Sequence, residues 1–195
     1  MKNLTKAIAT VSFAVASLFA SSTVKAQSAT PANAWRFGIG IEGMATTGGQ
    51  IHDISNAGIG GTARLQYGIS NNLAFTLTSG YYNFFGKDYS IVQTPTTTVT
   101  YKAIDFGIVP VKAGLKAYVG EGFYVSGEVG AGFETKDAYR GRTGDLNEKA
   151  TKLILAPGLG YSWSNVDLGV RYENFSGNNN NYGMVAARLA YGFKL

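Results

Sequence analysis

The chain has one histidine, His52, which is followed by Asp53 and, two residues later, by Ser55. A serine, a histidine and an acid are the groups of nucleophilic hydrolysis, in which the imidazole takes the hydroxyl proton and the carboxylate orients the ring. In such sites the three groups come from separate rigid elements, whereas here they share one loop segment. The spacing therefore predicts a solvated loop histidine and no catalytic residue.

Metal and cofactor sites have equally little support in the sequence. His52 and Asp53 are too few ligands for a tight metal site, and the absence of cysteine excludes thiolate sites and disulfides. Gly38-x-Gly40 and Gly130-x-Gly132 have the form of phosphate-binding loops, but each lies inside a strand pattern with no helix after it. We expect no metal and no cofactor.

The first 26 residues have the three regions of a secretory signal peptide. Lys2 and Lys6 precede an apolar run over 7–20, and Val24-Lys25-Ala26 fits a small-x-small cleavage site. The run has about 14 residues, fewer than the ~20 that a transmembrane helix needs. We therefore assign residues 1–26 to a signal peptide and exclude them from the fold.

The charge balance excludes some partners. The chain has 17 Lys and Arg against 12 Asp and Glu, and three lysines lie in the signal segment, so the remainder carries 14 − 12 = +2. Nothing in that balance indicates a nucleic-acid partner. Charged residues make up 15% of the chain, against ~25% in soluble domains. No later apolar run is long enough for a membrane helix, so strands in a closed barrel are the remaining way to cross a bilayer.

Eight segments alternate in hydropathy with the period of a β-strand. They are 35–45, 57–69, 72–83, 102–118, 122–135, 150–163, 165–174 and 184–195. Their connections run long, short, long, short, long, short, long, as in bacterial barrels with long outer loops and short periplasmic turns. The sequence predicts an eight-stranded antiparallel up-and-down transmembrane β-barrel over 35–195, preceded by a short periplasmic segment over 27–34.

The two faces of each segment differ, and we assign the apolar face to lipid and the polar face to the lumen. The lumen charges singled out on this basis are Arg36, Glu42, Arg64, Asp105, Lys112, Lys116, Glu128, Asp167, Arg171, Glu173 and Arg188. An eight-stranded barrel is only wide enough for side chains to fill it. Because unpaired buried charge is costly, we expect a network of ion pairs that closes the lumen, with a narrow gated pore as the alternative.

The fourth segment changes phase once. Phe106 and Ile108 have the lipid-facing parity, and then Val111 and Ala113 continue on the opposite parity. A bulge inserts one residue and restores the facing, and proline is tolerated there because it has no N–H to donate. We predict a β-bulge at Val109-Pro110.

Aromatic residues gather near the predicted strand ends, as in the interfacial belts of membrane barrels. The expected periplasmic belt contains Trp35, Phe37, Tyr67, Phe75, Phe123, Tyr161, Trp163, Tyr191 and Phe193. The expected outer belt contains Tyr81, Tyr101, Phe133 and Tyr172.

Two stretches resemble the small eight-stranded outer-membrane barrels of Gram-negative bacteria, the OmpX-like and OmpW-like group. They are 106–133, FGIVPVKAGLKAYVGEGFYVSGEVGAGF, and the C-terminal YGFKL, with Leu195 where the group more often has Phe. The resemblance implies an integral outer-membrane protein. We expect a monomer in contact with lipid and lipopolysaccharide. It also implies that Tyr191, Phe193 and Leu195 form a signal read by the barrel-assembly machinery.

Four functions remain open at this stage. The first is a non-enzymatic barrel with a structural or surface-interaction role, whose outer loops contact an extracellular protein or glycan. The second is transport of small hydrophobic molecules, with a lateral opening near Pro110. The third is a lipid A-modifying enzyme. The fourth is a soluble periplasmic carrier, whose barrel would have apolar residues inside and charges outside.

Overall fold

The computed structural model describes residues 30–49, 55–94, 97–102, 105–135, 151–177 and 181–195. The expected signal peptide, His52 and Asp53 lie outside these ranges. Within them, no helix is long and apolar enough to cross a membrane. Of the predicted periplasmic segment, residues 30–34 are described, and they pack against β2 at the barrel edge, where Asn33 N donates to Gly68 O at 2.8 Å.

The described residues form ten strands. The strands are β1 (Trp35–Gly49), β2 (Ser55–Gly68), β3 (Leu73–Gly86), β4 (Asp88–Thr94), β5 (Thr97–Lys102), β6 (Phe106–Tyr118), β7 (Phe123–Glu134), β8 (Thr151–Trp163), β9 (Val166–Ser176) and β10 (Tyr182–Lys194). Eight of them close into an antiparallel barrel in the order β1-β10-β9-β8-β7-β6-β3-β2. The predicted eight-stranded antiparallel up-and-down barrel is confirmed.

The other two strands, β4 and β5, form a separate antiparallel hairpin between β3 and β6. In the predicted barrel this region, 84–101, is one of the long connections, between the segments 72–83 and 102–118. The runs SIV and TTVTY have strand propensity, but they are too short to be told from an irregular loop by pattern alone.

The two ends of the barrel differ. The connections 69–72, 119–122 and 164–165 are tight and lie at one end, here called the turn end; the opposite end is the loop end. Gly122 has a φ of +85° and Ser164 a φ of +50°, so both turns use the left-handed region that short hairpins require. Both ends of the barrel sequence also lie there, since Leu195 N donates to Trp35 O at 3.2 Å.

The bulge predicted at Val109-Pro110 is absent. Along β6, Val111 pairs with Ala131 and Pro110 with Gly132, and the pairing continues without a shift to Ile108. On the β3 side the register is the same before and after this point. The prediction of a bulge was wrong.

The hydropathy pattern changes phase because the interior lining changes along β6, while the backbone register stays the same. Phe106, Ile108 and Pro110 are buried and point inward, on the same parity as the inward-facing Lys112 and Lys116. The interior is apolar near the loop end and charged farther toward the turn end. The change of phase in the sequence therefore marks the border between these two interior layers.

The layer near the loop end is an apolar cluster of buried side chains. It consists of Met44, Tyr82, Phe84, Phe106, Ile108, Ile154, Ala156, Phe175, Tyr182, Met184 and Ala186. Two stacked ring pairs lie in it, Phe84 with Phe106 at 4.7 Å and Phe175 with Tyr182 at 4.8 Å between centroids.

The outer surface of the barrel is apolar. Large side chains on the predicted outward parity are exposed, and this exterior belt includes Ile39, Ile41, Leu77, Val129, Leu153, Leu155, Leu159, Leu168, Val170 and Leu189. Aromatic rings border the belt at both ends. At the turn end Phe123 packs on Tyr161 at 4.7 Å and Tyr191 on Phe193 at 5.1 Å. At the loop end Tyr81, Phe85, Phe133 and Tyr172 are exposed.

Candidate functional site: the charged barrel interior

On the turn-end side of the apolar cluster, nine charged side chains converge from six of the barrel strands. This charge network consists of Glu42, Arg64, Lys112, Lys116, Glu128, Asp167, Arg171, Glu173 and Arg188. Their side chains are between 0% and 14% exposed. Each belongs to the inward parity of its strand, so the alternation that places apolar residues outside brings these charges together.

Glu173 is the centre of the network. Its Oε1 accepts hydrogen bonds from Lys112 Nζ and from Arg171 Nε, both at 2.5 Å. The Tyr82 hydroxyl donates to the same oxygen at 3.2 Å and accepts from Arg171 Nη2 at 2.8 Å. Two cations and a phenol therefore compensate the charge of this carboxylate through Oε1, as a buried charge requires, whereas Oε2 has no hydrogen-bond partner among the described residues.

Two further carboxylates are held in a similar way. Glu128 Oε1 accepts from Arg64 Nη2 at 2.9 Å and from the Thr78 hydroxyl at 2.8 Å. Glu42 accepts from Arg171 Nη2 at 2.8 Å and from the Thr62 hydroxyl at 2.7 Å. Arg171 therefore links two acids on different strands and ties the middle of the barrel together.

The layer near the turn end is built around Asp167. This carboxylate pairs closely with Lys116 and accepts from the Ser162 hydroxyl at 2.5 Å and from the Tyr124 hydroxyl at 3.0 Å. Lys116 Nζ also lies 3.7 Å from the centroid of the Tyr124 ring, a cation–π contact. Nearby, the buried Gln66 donates to Thr30 Oγ1 at 2.6 Å, so the N-terminal segment also reaches the interior at this end.

Two of the eleven residues expected in the lumen lie outside the network. Arg36 is half-buried at the turn end, where its Nη2 donates to Ser164 O at 2.8 Å. Asp105 precedes β6 at the loop end and accepts from Gly86 N at 2.9 Å. The two residues are at the rims of the barrel, which parity alone does not distinguish from its centre.

Sequence reasoning missed the neutral partners of the network. Tyr82, Tyr124, Thr78 and Ser162 supply hydroxyl groups to the buried carboxylates. Each lies on the inward parity of its strand, so the signal was present in the alternation. Only the charged residues on that face were predicted to form the network.

Inward-facing glycine makes room for the long cationic side chains. A Cβ added at Gly40 would lie 2.7 Å from Ala190 Cβ and 3.1 Å from Arg188 Cζ. Real Cβ atoms do not approach a backbone-fixed neighbour so closely, so the Arg188 guanidinium occupies its place because position 40 has no side chain.

The interior offers little for catalysis or metal binding. No group of three His, Cys, Asp or Glu side chains in the described ranges could hold a metal ion. Ser55 is buried in β2 and its hydroxyl donates to Ala57 O at 3.1 Å. The arrangement is suited to holding eight strands together and to filling the space they enclose.

Comparison with known proteins agrees on the fold. No protein-family model matches the chain, and no curated protein matches it in sequence. Among solved structures, the N-terminal β-barrel domain of Pseudomonas aeruginosa OprF is 12% identical, with a TM-score of 0.56 over 81% of this chain and 97% of that one.

Two other solved structures give the same result. Ail, the attachment invasion locus protein of Yersinia pestis, is 17% identical, with a TM-score of 0.51 over 83% of this chain and 99% of its own. The outer membrane protein OprG of P. aeruginosa is 10% identical, with a TM-score of 0.50 over 86% and 98%. The chain therefore has the fold of small outer-membrane β-barrels.

Proposed function

We propose that the chain is an integral outer-membrane β-barrel with no enzymatic activity, whose lumen is filled by its own side chains and whose loop end faces outward. The observation that carries this proposal is that the barrel has apolar side chains on its outer surface and charged side chains in its interior. Leu159 on the outside is 63% exposed, whereas the Lys112 and Glu173 side chains in the centre are 0% exposed. A soluble carrier barrel has the opposite arrangement, because water must cover its exterior.

The exterior belt and its aromatic borders support placement in a bilayer. Such a surface in water would be a contiguous apolar patch far larger than soluble monomers tolerate. In hydrocarbon it is the favoured surface, and Tyr and Trp at the two rims match the headgroup level. With the turn end in the periplasm, the short connections and the tight hairpins lie on the side where barrels of this kind have them.

The test of location is fractionation of Gram-negative cells that express the chain. We expect the protein in the outer-membrane fraction, with a folded band on unheated gels that shifts on boiling. Recovery in the soluble periplasmic fraction would contradict the proposal and favour the carrier function.

Two successive layers support a closed lumen. The charge network fills the middle of the barrel, and the apolar cluster covers it toward the loop end. An ion moving along the axis would have to separate buried ion pairs and then enter a dry layer, and both steps are costly. Pro110, where a lateral opening was considered, is buried and pairs in register with Gly132. These observations favour a closed barrel over a conduit.

Planar-bilayer recordings test this part of the proposal separately from location. We expect no steady conductance from the purified barrel. Single-channel steps that persist at low protein concentration would support the transport alternative.

The absence of enzymatic activity is supported by the state of the interior acids. Glu42, Glu128, Asp167 and Glu173 are each held by a cation and a hydroxyl, which leaves none placed as a general base. Overexpression should leave the lipid A mass spectrum unchanged. Loss or transfer of an acyl chain would contradict this part of the proposal.

The loop end is the surface that we assign to contact with other molecules. The β4–β5 hairpin between β3 and β6 gives this end a two-stranded element. Ail of Yersinia pestis, which has the same fold at 15% identity and a TM-score of 0.51, has been determined in complex with the heparin analogue sucrose octasulfate. We assign an extracellular protein or glycan as the partner class. Deletion of 88–102 should abolish adhesion of expressing cells to matrix or glycan surfaces while the barrel still folds, and unchanged adhesion would contradict this role.

A further inference from the structure

The interior contains a small cavity on the turn-end side of the charge network. Its volume is about 30 Å³, and a water molecule needs ~10–15 Å³ on the same measure, so it has room for about two water-sized bodies. Its charged lining is Arg36, Arg64, Lys116, Asp167 and Arg188. The cavity thus has four cations and one carboxylate around it.

The charge network as a whole is also unbalanced. It contains five cations, Arg64, Lys112, Lys116, Arg171 and Arg188, against the four acids Glu42, Glu128, Asp167 and Glu173. Arg36 at the rim adds another positive charge and has no ion pair with a described residue. A buried site with a net positive charge is costly unless a counter-charge is present.

Within the charge network, Arg188 is the cation whose contacts to carboxylates are longest. Its shortest contacts to carboxylates are 3.4 Å to Glu42 Oε1 and 3.5 Å to Asp167 Oδ1, and these two oxygens already accept hydrogen bonds from the Thr62 and Tyr124 hydroxyls. Its Nε donates to the Thr62 hydroxyl at 3.1 Å. Its Nη2 has no hydrogen-bond partner among the described residues, and water does not reach it from outside because the residue is only 3% exposed. An N–H group in that state lacks an acceptor, and Arg188 lines the cavity.

We propose that this cavity binds one small inorganic anion of the size of chloride, held by Arg188 Nη2 with Arg36, Arg64 and Lys116 around it. The anion supplies the acceptor that Arg188 lacks and neutralises the extra positive charge of the network. The space for about two water-sized bodies fits a monatomic anion. Two buried carboxylate oxygens, Glu128 Oε2 and Glu173 Oε2, also have no hydrogen-bond partner among the described residues, but neither residue lines the cavity, and Glu128 Oε2 lies 3.4 Å from Lys112 Nζ.

The first test is stability in chloride against gluconate at equal ionic strength, measured as the urea midpoint of the full barrel in phospholipid vesicles. A ligand that binds only the folded state raises stability with its concentration. We expect a higher midpoint in chloride for the wild type. The Arg188→Met variant should lose this chloride-dependent shift, and Arg36→Gln should reduce it by more than half. Because both variants are compared with themselves in the two salts, their own stability cancels.

Lys194→Gln is the matched control, because Lys194 pairs with Arg36 across β1 and β10 and is exposed outside the cavity lining. It should keep the wild-type shift. If Arg188→Met does not fold, the chloride-dependent shift of Arg36→Gln alone tests the proposal. Equal midpoints in the two salts for the wild type, or a shift that survives in both Arg variants, would overturn the proposal.

A direct test uses bromide in place of chloride in crystals of the barrel. We expect an anomalous peak within hydrogen-bond distance of Arg188 Nη2, its disappearance in Arg188→Met and a weaker peak in Arg36→Gln. A cavity that contains only water, with no anomalous signal, would overturn the assignment.

Discussion

Glu173 on β9 and Lys112 on β6 meet at 2.5 Å in the middle of the barrel, and both side chains are fully shielded from solvent. Their strands are not neighbours, since β8 and β7 lie between them. The contact therefore spans the interior instead of following the wall. Such a pair gains little net free energy, because desolvation of two charges nearly offsets their attraction. Its effect is to penalise any register that would leave either charge alone.

Removal of one acid from this centre tests the network. Glu173→Gln keeps the size of the side chain but leaves Lys112 and Arg171 short of a counter-charge. We expect a loss of about 3–5 kcal/mol in the free energy of unfolding, the usual cost of leaving a buried charge unpaired. Urea unfolding in phospholipid vesicles measures it. The control is Glu121→Gln, the same substitution in the exposed β6–β7 turn, which should change stability by less than about 0.5 kcal/mol. Equal stability of the two variants would show that the network is not formed as described.

The apolar cluster can be tested with two adjacent phenylalanines. Phe84 is buried and stacks on Phe106, whereas Phe85 points outward at the loop end and is 44% exposed. Phe84→Ala should destabilise the barrel by about 3–5 kcal/mol through cavity formation. Phe85→Ala should cost much less, because no cavity forms on the outer surface. Thermal unfolding followed by the heat-dependent gel shift compares the two, and a larger effect at Phe85 would reverse the facing assigned here.

Room for Arg188 depends on the missing side chain at position 40. Gly40→Ala places a Cβ against Ala190 and the guanidinium, so overpacking should cost about 1–3 kcal/mol. Gly43 lies three residues along the same strand, and a Cβ there would meet nothing within 4 Å. Gly43→Ala is therefore the matched control and should be neutral to within about 0.5 kcal/mol. The refolding yields and urea midpoints of the two variants measure this difference. Unchanged stability of Gly40→Ala would contradict the packing described.

The alternation of residues along the strands was enough to predict the barrel and the location of most of the network. A period of two assigns every residue to one of two faces, so Arg64, Lys112 and Glu173 could be placed inside without knowledge of their partners. Their pairing could not be predicted, because it depends on the register between strands that are distant in sequence. Parity also does not report depth, which is why Arg36 and Asp105 were expected in the network and lie at the rims.

The bulge that was wrongly predicted at Val109-Pro110 shows the limit of the assumption that apolar residues face lipid. This assumption treats every apolar run as outward, but Phe106 and Ile108 are apolar and inward because the interior is dry near the loop end. A change of phase has two physical causes, an inserted residue or a change in what the interior contains. A single sequence does not separate them, and the β6–β7 register does.

Charge on the outer surface should be costly in proportion to depth. Leu159→Arg, in the middle of the exterior belt, should lose about 2–4 kcal/mol of folding free energy in a bilayer, whereas Ile69→Arg at the turn end should lose about 0–1 kcal/mol. Both side chains are exposed, so the difference reports the surrounding medium and not packing. Unfolding in vesicles gives both values. Similar small effects at the two positions would mean that the belt does not contact hydrocarbon.

The most direct measurement of the bilayer assignment uses the absence of cysteine from the chain, which makes single-cysteine labelling simple. A nitroxide attached at Leu155→Cys on the exterior belt, with the barrel in lipid bilayers, can be relaxed either by oxygen, which partitions into hydrocarbon, or by a water-soluble nickel complex. A label at Val119→Cys in the exposed turn is the aqueous reference. The account predicts strong relaxation by oxygen and little by nickel at 155, with the reverse at 119. Strong relaxation by nickel at both positions would contradict it.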